Sequence, residues 1–432
     1  MKEYLKTRRE FMRNSVLGAS AAWTVPAFLD RTFADMDAKT RDLAVQADTG
    51  KDGPILVVLQ LAGGNDGLNT LVPYADDAYA KARPRLKKSL KDLRKIDDEV
   101  GLNSNLDFAG RMYDEGDLAI VQGVGYPNPN RSHFVSTSVW ETADPRAKSN
   151  TGWLGRYFDN DCGGMDPTVG ISLKKTQPEA FGAMENPGIS LNTPELYRWM
   201  HGGGEAAMAE DLFEQLNQPG EATGSSIEEV GKTGGKVGED SLAFLERVAL
   251  NAQVSSKKIL EVASKYKSKV QYAGTPISRS LNLVSRMIAG GLPTRVYYVS
   301  HGGFDTHQGQ GGRHDNLLAQ LDAALKSFFT DLKQQGNYDR VTLMTFSEFG
   351  RRVAENASAG TDHGKASCLF VAGSAVKGGL YGKYPSLTEL DRGDLKHSVD
   401  FRSVYATLIG KWLKGNSQPV VRGNYKELGF MG

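Results

Sequence analysis

Apolar residues run almost without a break through Ile55–Leu61, where only Gln60 interrupts them. A strand with one solvent-facing side alternates apolar and polar residues. A run without alternation is buried on both faces, as in a central parallel strand. Comparable runs at Leu118–Val124, Arg295–Ser300, Arg340–Thr345 and Leu369–Gly373 predict four more strands. Turn-forming stretches follow the first three, at 63–67, 125–130 and 302–303. Helical periodicity covers 132–142 and 316–335. Strands alternating with long amphipathic helices imply βαβ crossovers, and so a mainly parallel α/β sheet with helices on both faces. The rhythm breaks between about 145 and 290. There a Gly/Pro-rich part (163–204) precedes a mostly helical part (206–288) that holds a polar stretch at 219–239. This region is expected to be a helical and irregular insertion or cap on the core.

Composition narrows the class. The chain has 432 residues, 40% apolar and 24% charged, which suits a globular protein. Its 52 basic and 51 acidic residues leave a formal charge of +1, without the basic excess of a nucleic-acid binder. Two cysteines, Cys162 and Cys368, are too few for a disulfide scaffold or an all-cysteine zinc site, and are expected to be separate thiols.

The first 34 residues have the order of an export signal. Arg8 and Arg9 lie in a basic segment, with Phe11 two positions on, before a small-residue apolar stretch from Ser15 to Phe28 and a cleavage-type Ala34. Paired arginines in this setting predict recognition by the twin-arginine machinery, which moves folded cargo. The apolar stretch holds Ser20, Trp23, Thr24 and Pro26, so it is too short and polar to stay as a membrane span. The expected organisation is a signal peptide at 1–34, a polar linker at 35–53 and the α/β domain at 54–432, periplasmic or extracellular, with no stable membrane span in the mature form.

Ligands of open α/β sheets sit beyond the carboxyl ends of the strands. Asn65 and Asp66 follow the first predicted strand, and Ser132 and His133 the second. Asp305 and His307 follow the third, with His314 beyond. Ser347 and Glu348 follow the fourth, and Asp362 and His363 precede the fifth. Five of the seven histidines fall in these stretches (His133, His301, His307, His314 and His363). Carboxylates and imidazoles collected at one edge suit a divalent metal (zinc, manganese, magnesium or calcium) or acid–base chemistry. Ser132 stands where the chain enters a helix, as an N-cap or as a nucleophile beside an anion site. Arg131 can clamp an anion in two-pronged fashion.

Seven stretches carry a family resemblance: Val58–Pro73, Gly123–Ala143, Thr151–Arg156, Gly302–His307, Thr345–Arg352, Gly360–Gly364 and Val376–Pro385. On these the chain resembles the DUF1501 proteins, twin-arginine-exported members of the alkaline phosphatase/sulfatase-like superfamily. The resemblance implies a three-layer α/β/α alkaline-phosphatase-like core, one or two metal ions and hydrolysis of a small anionic ester or a sulfated or phosphorylated glycan. Asp66 resembles the superfamily's first metal-binding Asp, Asp305 with His307 or His314 the middle pair, and His363 the final His. Glu348 stands at the Asp of an Asp-His pair, but Phe349 follows it. Pro127 occupies the place of the sulfatase cysteine, so no formylglycine forms there, and Ser132 or His133 would take the nucleophile or ligand role. These departures make a non-catalytic metal- or glycan-binding protein on the same fold the alternative.

Overall fold

The computed structural model describes residues 53–163, 167–174, 176–191, 259 and 261–432. The expected export signal, the linker up to residue 52 and the polar stretch at 219–239 lie outside the described residues.

The first apolar run forms β1 (Ile55–Ala62), flanked in parallel by β8 (Val296–Gly302) and β9 (Val341–Phe346). β1 is buried on both faces, as its lack of alternation predicts. Ile55, Val57, Leu59 and Leu61 enter one core, with helices α4 (Pro276–Ala289) and α5 (Gln310–Gln335). Leu56 and Val58 enter the other, with helices α2 (His133–Thr142), α3 (Trp153–Asp161) and α6 (Phe401–Thr407). Helix α1 (Asp107–Glu115) packs with the first group. The result is a helix–sheet–helix sandwich.

Among the described residues the sheet has nine strands. Its order is β11 (Gly379–Tyr381), β5 (Leu118–Gly125), β10 (Ser367–Ala372), β9, β1, β8, β6 (Gly170–Ser172), β7 (Ile189–Ser190), with β12 (Val399–Asp400) also beside β5. All pairings are parallel except those of β10, which is antiparallel to β5 and β9. The sheet is mainly parallel, as expected, and the single reversal has a simple cause. No helix intervenes between β9 and β10, so the chain turns back without the crossover that parallel neighbours need. The reversal brings the start of β10 to the same edge as the ends of β1, β5, β8 and β9.

Other details differ from expectation. Strands β6 and β7, in the stretch expected to be an insertion, extend the main sheet. The helix expected from 316 begins at Gln310, so His314 is helical, and His301 lies within β8. A small antiparallel sheet of β2 (Leu71–Val72), β3 (Leu93–Lys95) and β4 (Gly101–Asn103) was not expected. Both cysteines are free. No described helix is long and apolar enough to cross a membrane.

Candidate metal centre

Three segments meet beyond the carboxyl edge. His133 opens α2 after β5, Asp305 and His307 follow β8, and His363 precedes β10. Single ligand atoms of His133, Asp305 and His363 lie within 4.8 Å of one another, a spacing that can hold a metal ion. Asp305 Oδ1 is 3.1 Å from His363 Nε2 and 3.1 Å from His307 Nε2, and Oδ2 is 3.6 Å from His133 Nε2.

The outer nitrogens of the three rings are all engaged. His133 Nδ1 is 2.8 Å from Glu348 Oε1, His307 Nδ1 is 3.3 Å from Asp362 Oδ1, and His363 Nδ1 is 2.8 Å from the Arg131 carbonyl. Each outer partner is an acceptor, so a neutral ring that donates from Nδ1 has its lone pair on Nε2, where a cation would use it. Yet His307 Nε2 and His363 Nε2 stand 2.9 Å apart. Two lone pairs facing at that distance repel unless a proton or cation lies between them. Anchored outer nitrogens and converging inner ones are how proteins hold histidine ligands of a metal. Carboxylate with imidazole, and no thiolate, suits zinc, manganese or iron. The donor set therefore fits a divalent ion held by His133, Asp305 and His363, with His307 adjoining.

Charges around the cluster follow from its contacts. Partial burial works to raise the Asp305 pKa, but the Arg351 guanidinium, 2.7 Å away, and His363 bring it down to about 2. The hydrogen bond to Glu348 raises His133, against its desolvation. Desolvation lowers His363. Phe349 closes one side, with ring centroids 4.9 Å from His133 and 4.5 Å from His363.

Glycines make this convergence sterically feasible. Gly63 (φ +122°) and Gly64 (φ +82°) adopt backbone conformations that side chains disfavour. A Cβ on Gly63 would lie 2.3 Å from the Asp305 amide, and one on Gly64 2.4 Å from the Phe349 ring. The Gly63 N–H donates to Glu348 Oε1 at 2.8 Å, so Glu348 joins the β1 loop to His133.

The other sequence candidates do not turn a side-chain donor atom into the cluster. Asp66 is 1% exposed and pairs with Arg83 at 2.5 Å, while Gln310 Nε2 donates to its Oδ2. Its neighbour Asn65 meets His314 Nε2 at 2.9 Å, and His314 is 1% exposed. Asp66 and His314 thus share a buried network that makes no bond to the histidine cluster among the described residues, with Asp66 Oδ1 and His314 Nδ1 left without a partner. Glu348 serves the cluster through His133 rather than pointing into it. The Arg131 guanidinium pairs with buried Asp394, and its carbonyl holds His363. Ser132 is the N-cap of α2, but its side chain makes no capping bond and is exposed.

One residue of the centre was absent from the sequence candidates. Arg351 is fully buried and donates to the carbonyls of Gly63, Gly64, Phe304 and Thr361 besides Asp305, so it ties three loops together. Asp362 orients His307. Both lie in stretches that carried the family resemblance, Thr345–Arg352 and Gly360–Gly364. A histidine in a loop implies an acceptor for its second nitrogen, and Asp362, already expected at this edge, fills that role for His307.

Residues 237–412 match the family described as "Protein of unknown function (DUF1501)". No curated protein matches the chain in sequence. Among solved structures, the chain is similar to a sulfatase from Pseudoalteromonas sp., at 10% identity and a TM-score of 0.40 over 91% of this chain and 74% of that one. It is also similar to a phosphonate monoester hydrolase from Silicibacter pomeroyi, at 8% identity and a TM-score of 0.32 over 87% and 78% of the two chains. For the alkaline phosphatase of the Antarctic bacterium TAB5 the values are 10% identity and a TM-score of 0.29 over 75% and 92%. These likenesses are distant, and the chemistry of the site rests on this chain's own side chains.

Proposed function

We propose that this chain is an exported, metal-dependent hydrolase of phosphate or sulfate esters. The observation that carries the reading is the set of three histidines whose anchored outer nitrogens turn their inner ones toward Asp305. A divalent ion bound there would act as a Lewis acid on an ester oxygen. The imidazole-rich donor set favours zinc or manganese over magnesium or calcium. His133 and His363 hold the ion with Asp305, and Glu348 keeps His133 oriented. Ser132, exposed and adjoining His133, supplies the candidate hydroxyl nucleophile. The domain runs over 54–432, behind a twin-arginine signal at 1–34 that directs the folded chain to the periplasm or the extracellular space.

A non-catalytic metal-binding protein is the second reading. It draws on Asp66, whose carboxylate is taken up by Arg83 and Gln310 rather than left open to a second metal. Elemental analysis of the purified protein, followed by a panel of phosphate and sulfate monoesters, separates the two. Metal with turnover, lost together in His363→Ala, supports the hydrolase; metal without turnover supports the binder. Export has its own test: Arg8→Lys with Arg9→Lys should strand the protein in the cytoplasm, and normal delivery would remove the twin-arginine reading.

A further inference from the structure

We propose that a cationic shelf beside the histidine cluster is a subsite for a second anionic group of the substrate. The inference rests on the ester-hydrolase reading and names the class of ester: one with a further sulfate or phosphate roughly a sugar ring away from the reacting group.

The shelf begins at Asp394, a carboxylate with no side-chain exposure. A buried charge needs a partner, and Asp394 has two: Arg131 Nη2, and Arg352 Nε at 3.4 Å. The two guanidiniums remain 39% and 35% exposed. Arg131 makes only this one side-chain bond among the described residues, so most of its five N–H donors stay available to another acceptor. Both arginines adjoin the cluster through the backbone. The Arg131 carbonyl holds His363, and the Arg352 N–H donates to the Asp362 carbonyl at 3.0 Å.

A cavity of about 410 Å³ lies between the 126–129 turn and the loop around 391–397, and its lining residue Asp391 is hydrogen-bonded through its backbone to Asp394. That volume suits a sugar-sized group. Lys365, Lys396 and His397 line it. Lys365 is bound to Asp391, whereas Lys396 is exposed and has no ion-pair partner among the described residues. Lys365 follows His363 by two residues, so their Cα atoms are at most about 7 Å apart. With Arg392, five basic side chains gather here against three carboxylates, Asp391, Asp394 and Asp362, on a chain whose overall charge is +1. A monoester filling the metal centre has no use for this excess; an ester with a neighbouring anion does.

The test is calorimetric, on the purified full chain. The probe pairs are fructose 1,6-bisphosphate against fructose 6-phosphate, and glucosamine N,6-disulfate against glucosamine 6-sulfate. The second anion should tighten binding about ten-fold in at least one pair, and the pair that responds identifies the sulfate or phosphate source. Lys396→Glu, at an exposed position, should remove most of that preference and leave the monoester affinity unchanged. Equal binding of both members in both pairs would overturn the proposal, as would a Lys396→Glu chain that loses both members alike. Should the preference persist in a chain that binds no metal and turns over no ester, the hydrolase reading fails while the subsite stands.

Discussion

Asp66 and Asp305 each stand a few residues beyond the end of a parallel strand, and each belongs to a group that includes histidine. Their surroundings differ in one decisive respect. Asp66 is closed off, with Arg83 and Gln310 on one oxygen, and His314 nearby is 1% exposed. Asp305 is 47% exposed, and three imidazoles turn their Nε2 atoms toward it. Its own arginine, Arg351, reaches only Oδ1. A buried carboxylate with a dedicated guanidinium is already compensated in charge, so a cation entering beside it, even at the unpartnered Oδ1, would meet a desolvated positive neighbour. A half-exposed carboxylate among lone pairs is a place for an ion. Residue type and position relative to a strand do not separate the two groups; burial and the identity of the nearest cation do.

Breaking the buried pair should produce the largest effect on stability. Arg83→Met leaves the Asp66 charge buried without its guanidinium, at a cost of about 3–5 kcal/mol. Urea unfolding of the metal-free chain measures this. Metal content per folded molecule should not change, since no residue of the histidine cluster is touched. A loss of metal with unchanged stability would reverse the roles assigned to the two groups.

Acid should separate the groups next. Burial holds the His314 pKa down to about 4, below the 6.5 of an unperturbed histidine. Between those values the unfolded chain binds more protons than the folded one. The stabilisation is therefore complete above about pH 6.5 and is lost as pH falls toward 4, by about 3 kcal/mol. His133 works in the opposite sense, because Glu348 raises it, but it is 34% exposed and its contribution is correspondingly screened. Unfolding midpoints of the metal-free chain across this range should fall in acid, and His314→Gln should flatten the dependence. An equally steep fall in that variant would remove His314 as its source.

Glu348 sharpens the comparison at the open site. Its Oε1 accepts from the Gly63 N–H and from His133 Nδ1. Glu348→Gln keeps the shape and removes the charge, so stability should fall by about 1 kcal/mol. Metal affinity should fall by about 10–100-fold, the usual effect of losing a carboxylate behind a histidine ligand. Zinc titration with a competing chelator reads the second effect. An unchanged affinity would mean that His133 does not bind the ion.

Much of this site was legible before folding was considered. Unalternating apolar runs located β1, β5, β8 and β9, and strand ends located His133, Asp305, His307 and His363. Two things were hidden. The reversal of β10 depends on a connection without a helix, and it is what brings His363 to the edge shared by the other strands. The separation of Asp66 and His314 depends on Arg83, which nothing in the spacing links to Asp66. In the sequence Arg83 is one basic residue in a charged stretch; only packing makes it the partner of a buried carboxylate.

Ser132 should give the smallest change in stability and the clearest statement about chemistry. It occupies the N-cap of α2, where a bonded serine is worth about 0.5–2 kcal/mol, yet its side chain makes no capping bond and lies at the surface. Ser132→Ala should therefore shift stability by less than about 0.5 kcal/mol, within the range of ordinary surface changes. Metal content should also hold, because His133, not Ser132, faces Asp305. If the hydroxyl is the nucleophile of the proposed hydrolysis, kcat on a monoester falls while stability and metal stay constant. That combination is expected, since the position leaves the hydroxyl free of structural duty and directly before a metal-facing histidine. Full activity in Ser132→Ala would transfer the attack to water and leave the metal centre as described. A fall in stability of 1 kcal/mol or more would instead make Ser132 a capping residue and remove it from the chemistry.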